Sequence, residues 1–61
     1  MAGYRLYFMD RAGHIRDAVD LECVDDDDAI RTAGGRADGR SMELWRRTRQ
    51  VMVFPAPATE A

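Results

Sequence analysis

Sixty-one residues with nine arginines, no lysine, eleven acidic residues and a net charge of −2 allow one domain with a small core and exclude a chain built around a strongly basic surface. A domain of this length is expected to be stable by on the order of 3–9 kcal/mol. Cys23 is the single cysteine and His14 the single histidine, so an intramolecular disulfide and a Cys/His zinc site are both excluded, which leaves oligomerisation as the common way to stabilise so short a chain.

The first predicted element is a strand over Tyr4-Arg5-Leu6-Tyr7-Phe8-Met9, with Tyr4, Leu6 and Phe8 on one face and Arg5, Tyr7 and Met9 on the other. Asp10-Arg11-Ala12-Gly13 follows as a turn. Asp can bond the backbone two residues on, and Gly can take positive φ at the last position, a spacing that suits a hairpin with a bulge. From His14 to Cys23 the odd positions Ile15, Val19, Leu21 and Cys23 are apolar, and the alternation breaks only at Asp17-Ala18. A bend or bulge near Asp17 accounts for that break. Cys23 falls on the inward parity and reads as a small buried hydrophobe.

Val24-Asp25-Asp26-Asp27-Asp28-Ala29-Ile30 is the pivot of the chain, because strand alternation ends there and helical spacing begins. Aspartate caps a helix start by accepting from an orphan N–H, and further carboxylates meet the positive end of the helix dipole. A calcium loop would need ligands at alternate positions around a glycine, and that spacing is absent from the run. Ala29, Ile30, Ala33 and Ala37 form a narrow apolar stripe, so the helix is expected to run from Asp26 to about Ala37 and to end at Gly39, with fraying of the last turn or an earlier end at Gly34-Gly35 as the alternative. Gly34-Gly35 lies inside that span, with close packing on the domain's own sheet as the expected reason and approach of a ligand or another chain as the alternative.

Ser41 to Arg46 reads as a third strand, with Met42 and Leu44 inward and Glu43 and Trp45 outward. Arg47-Thr48-Arg49 is a polar turn without glycine, and Gln50-Val51-Met52-Val53-Phe54 is a fourth strand that Pro55 ends. The expected architecture is therefore α+β, a small antiparallel sheet in the order β-β-α-β-β with one helix packed on one face. Residues 1–54 form the single domain and residues 55–61 a disordered C-terminal tail.

With these elements placed, the chain resembles a group of short bacterial domains of unknown function, frequent in alphaproteobacteria. The matching features are Tyr4-Arg5-Leu6-Tyr7-Phe8, Asp10 with Gly13, Asp25 to Ile30, Ala33, and Asp38-Gly39-Arg40 running into Met42-Glu43-Leu44-Trp45. The resemblance covers roughly residues 4–54 and implies an α+β fold, with no activity, catalytic residue or cofactor attached. Gly34-Gly35 departs from the Ala-rich helix of that group.

One helix covers one sheet face. Leu6, Phe8, Ile15, Leu44, Val51 and Val53 are expected beneath Ala29, Ile30 and Ala33, which turns Tyr7, Met9, Trp45, Met52 and Phe54 toward the uncovered side. A patch of that kind marks a contact surface, so the expected role is a non-enzymatic protein-interaction module that binds a second copy or another protein through those five residues. The alternative is nucleic-acid binding through Arg40, Arg46, Arg47 and Arg49 around Trp45. Against that alternative stand the acidic balance and the four aspartates; residues 1–30 hold three arginines against eight acids and residues 31–61 six against three, complementary halves that neutralise each other within one domain or, on separate faces, favour self-association or a charged partner. His14 beside Asp17, or Cys23 as a nucleophile, is the nearest approach to a catalytic arrangement, and neither has a third partner; no catalytic, metal or cofactor site is expected. A cytoplasmic protein with no membrane contact is expected, since no apolar stretch approaches the length of a span.

Overall fold

The computed structural model describes residues 1–56. The expected tail therefore lies outside the described residues, apart from Pro55 and Ala56, which have no regular secondary structure. Strands β1 (Ala2–Met9) and β2 (Ile15–Cys23), helix α1 (Asp26–Gly34), and strands β3 (Ser41–Arg46) and β4 (Arg49–Phe54) follow in chain order. The strands form one sheet in the order β2-β1-β3-β4, every neighbouring pair antiparallel. The fold is α+β, with the helix on one sheet face.

The turn chemistry read from Asp10 and Gly13 operates as expected. Asp10 Oδ1 accepts from the backbone N–H groups of Ala12 and His14, both at 2.9 Å, and the Gly13 N–H donates to the Asp10 carbonyl at 3.0 Å with Gly13 at φ 84°. The second hairpin has no glycine, and Arg47 takes the left-handed conformation itself, at φ 56°.

At the helix start Asp25 accepts from the Asp28 N–H at 2.9 Å while Asp28 Oδ2 accepts from the Val24 N–H at 3.0 Å. These reciprocal bonds satisfy two backbone donors that would otherwise lack partners. The helix ends earlier than expected, at Gly34 with Gly35 as its cap, and Ala37 is exposed. Gly35 is still in the αR region, so the helix stops just past the pair because one more alanine buries too little to hold a further turn beyond two poor helix formers. Close packing on the sheet is not the reason for the pair: a Cβ at Gly34 would meet nothing within 4 Å, and one at Gly35 would meet the Thr32 and Arg31 carbonyls of the helix itself, at 3.4 and 3.8 Å.

The core consists of Tyr4, Leu6, Phe8, Leu21, Cys23, Ala29, Ala33, Met42 and Leu44, with Val19, Ile30, Val51 and Phe54 packed against it at the margin. Nine helical residues extend roughly 14 Å, whereas the eight residues of β1 extend roughly 26 Å. The helix is thus too short to roof the sheet from end to end. Arginines close both ends. The Arg40 guanidinium lies 4.6 Å over the Phe8 ring and bonds Asp38 and Asp17, and at the opposite end Arg46 lies 5.8 Å over the Tyr4 ring while Arg49 bonds Asp26. Stacked this way, a guanidinium covers an aromatic edge and keeps its charge in water.

Candidate interaction face

Cross-strand partners in an antiparallel ladder share a face, so the register assigns each side chain to the helix side or the open side. Tyr7 and Met9 of β1 face away from the helix, as does Trp45, which pairs with Arg5. These three expected residues do share the open face, each partly exposed.

The other two do not. Between β3 and β4 the register shifts, with Leu44 opposite Met52 but Trp45 opposite Gln50, leaving Val51 as the extra residue. Strict alternation fails at such a bulge. Phe54 therefore stands opposite Met42 and packs against the core, Met52 stands opposite Leu44 on the helix side, and Val53 turns to the open face opposite Glu43, 47% exposed. The same correction applies to β2. Phe8 pairs with Asp17 and Met9 with Ile15, so Arg16 is the extra residue and Ile15, expected in the core, lies beside Met9 at 56% exposure. The break in alternation at Asp17-Ala18 was the signal for this bulge, and carrying parity across it would have placed Ile15 correctly. No residue type in β4 signals the shift at Val51.

The open face thus presents Tyr7, Met9, Ile15, Trp45 and Val53. A groove of about 390 Å³ lies beside Tyr7, Ile15 and Trp45 and is lined by these three with Glu43, Arg47 and Thr48. The Trp45 indole Nε1 donates to Glu43 Oε1 at 3.0 Å, which fixes the ring on the face. Around the apolar centre stand Arg5, Asp20, Glu22, Glu43 and Arg47, charges of both signs. Arg5 pairs with Asp20 at 2.9 Å, and that bond raises the Arg5 pKa.

The arginines expected to form one basic patch are divided between the ends of the sheet. Arg40 precedes β3, and Arg46, Arg47 and Arg49 lie at or beyond its other end, roughly 20 Å away along six strand residues. Arg40, Arg46 and Arg49 are engaged by the ion pairs and rings described above. Arg47 alone of the four has no carboxylate or ring partner among the described residues.

His14, Asp17 and Cys23 are also separated. Asp17 bonds Arg40 at 2.9 Å, so the carboxylate nearest His14 is Asp10, at 3.8 Å, and Cys23 is buried. Asp26 accepts from the Tyr4 hydroxyl at 2.7 Å, a bond that holds the carboxyl below the usual range and pushes the phenol up, with Arg49 lowering Asp26 further. Among the described residues no three acidic, histidine or cysteine side chains converge as metal ligands would, and no helix is long and apolar enough to cross a membrane. Compared with protein-family models, curated proteins and solved structures, the chain matches none of them.

Proposed function

We propose that this chain is a small protein-interaction module whose open sheet face seats a second copy of itself. The observation that carries the proposal is the cluster of Tyr7, Met9, Ile15, Trp45 and Val53 on a face that no other described element covers, ringed by charges of both signs. An apolar centre within a polar rim is the anatomy of a protein interface, and tryptophan and tyrosine are the residues enriched at its core. A rim that holds Arg5 and Arg47 as well as Asp20, Glu22 and Glu43 can be matched by another copy of itself, whereas a rim of one sign cannot. A core of nine side chains, three of them Ala29, Ala33 and Cys23, adds the energetic reason, since burying the second face compensates for a thin interior. A reducing interior such as the cytoplasm suits the free thiol of Cys23.

Nucleic-acid binding has weaker support, because three of its four expected arginines serve the fold and the nearest charges on the open face are mixed. Sedimentation velocity over a concentration series, read at 260 and 280 nm, tests both readings. The native chain is expected to associate free of nucleic acid, and Trp45→Ser to lower the association while leaving the circular dichroism spectrum intact. A native chain that is monomeric throughout the series overturns the proposal, and co-sedimenting 260 nm absorbance redirects it to nucleic acid.

A further inference from the structure

The sheet has two edges, β2 and β4, and they differ in a way that bears on assembly. An exposed edge carries unpaired N–H and C=O groups and accepts another strand unless charge, bulges or proline discourage it. Both edges contain one register shift, at Arg16 near the start of β2 and at Val51 within β4, and they differ most clearly in charge. β2 carries Arg16, Asp17, Asp20 and Glu22, all exposed, with Asp20 and Asp17 bonded to Arg5 and Arg40. β4 carries no charge from Gln50 to Phe54, and Met52 and Val53 are 41% and 47% exposed on opposite faces.

We propose that the β4 edge pairs antiparallel with β4 of a second copy, joining two four-stranded sheets into one of eight strands. The occupant follows from the sequence of the edge. Antiparallel pairing centred on Met52 sets Val51 to Val53 of one copy against Val53 to Val51 of the other, and carries the two Arg49 side chains to opposite ends, roughly 20 Å apart. Parallel pairing would set Arg49 beside Arg49. Pairing β4 with β2 of another copy would lay Asp17, Asp20 and Glu22 along an apolar strand and desolvate their ion pairs. Of the two edges this chain offers, β4 alone is compatible with β4. The two-fold axis of such a pair is perpendicular to the sheet, so both open faces lie side by side on one surface and remain available. The edge contact is thus independent of the face contact, and the two together close as a tetramer with perpendicular two-fold axes.

The test is made on Trp45→Ser, which removes the face contact and leaves the edge. That variant is expected to sediment as a dimer at high concentration, and its β4 amides are expected to exchange with solvent more slowly as concentration rises, while the outward amides of β2 exchange at a constant rate. Adding Met52→Lys places two like charges across the axis and is expected to raise the dimer dissociation constant several-fold, with β4 protection lost and β1 and β3 protection kept. A folded Trp45→Ser variant that is monomeric at every concentration, or β4 amides that exchange as fast as those of β2, overturns the inference. Retention of the dimer and of β4 protection in the double variant does the same.

Discussion

The two faces of this sheet are made by the same strands, yet one is closed and the other open. On the helix side Leu6, Met42 and Leu44 are at most 1% exposed, and the aromatic ends of the layer are closed by guanidinium groups. On the other side Ile15 and Val53 keep about half their surface in water, next to an indole held by one hydrogen bond. Apolar content does not separate the faces; what separates them is whether another element lies on top. Among the described residues α1 is the one element that lies on the sheet, and it is nine residues long. A chain of this size can roof one face with its own helix, and the apolar side chains on the second face are then exposed until something else covers them.

Paired substitutions on opposite faces break this comparison most strongly. Leu44→Ala opens a cavity in a fully buried site and is expected to cost about 2–5 kcal/mol, comparable with the whole stability expected of the domain. Val53→Thr, with its β-branched shape kept and about half its surface already in water, is expected to change monomer stability by less than about 0.5 kcal/mol. Urea denaturation at low protein concentration measures both. A large loss for Val53→Thr under those conditions would mean that the open face is covered within the monomer.

The comparison also shows where the sequence was legible. Alternation placed Tyr4, Leu6 and Phe8 against Tyr7 and Met9 in β1, and Met42 and Leu44 against Trp45 in β3, because both strands run without an extra residue on their own side of the ladder. The turn at Asp10-Gly13 and the capped start at Asp25 were legible because each depends on local bonds between neighbours in sequence. Ile15, Met52, Val53 and Phe54 were assigned to the wrong faces because a single unpaired residue, Arg16 or Val51, reverses parity beyond it. Strand order was not legible either: that β1 rather than β2 lies beside β3 depends on how the helix crosses the sheet. Arg40 is held partly by Asp38, a neighbour in sequence, but its pair with Asp17 and that of Arg49 with Asp26 join residues 23 positions apart and leave no pattern in the chain.

A smaller effect sharpens the role of the helix as the cover of the sheet. Gly34 closes α1 with open space where a Cβ would stand, so Gly34→Ala gains helix propensity without a clash. A stabilisation of about 0.5–1 kcal/mol is expected, read as a higher thermal midpoint with Leu44 packing undisturbed. Destabilisation would show that the end of α1 depends on the backbone freedom of Gly34.

The smallest expected effect concerns the charges that hold the cover in place, and its sign follows from the direction of each shift. The folded state lowers Asp26 through the Tyr4 hydroxyl and Arg49, Asp28 through the Val24 N–H and Arg31, Asp10 chiefly through the His14 N–H, and Asp38 through Arg40, all from an ordinary value of 3.8. A carboxyl with a depressed folded pKa contributes stability that is present above its unfolded value and lost as pH falls through the folded one. The thermal midpoint should therefore be flat near neutrality and fall below about pH 4. Tyr4 behaves in the opposite sense, since its folded pKa lies above the ordinary 10.0 and its contribution is lost as pH rises through the raised value. Tyr4→Phe removes the donor that lowers Asp26 most, so it is expected to make the acid decline shallower and to remove part of the alkaline one. Thermal melts of both proteins from pH 2.5 to 11 make the comparison, and an unchanged acid limb would show that the helix is held by its apolar contacts and its cap, with the Tyr4–Asp26 bond adding nothing measurable.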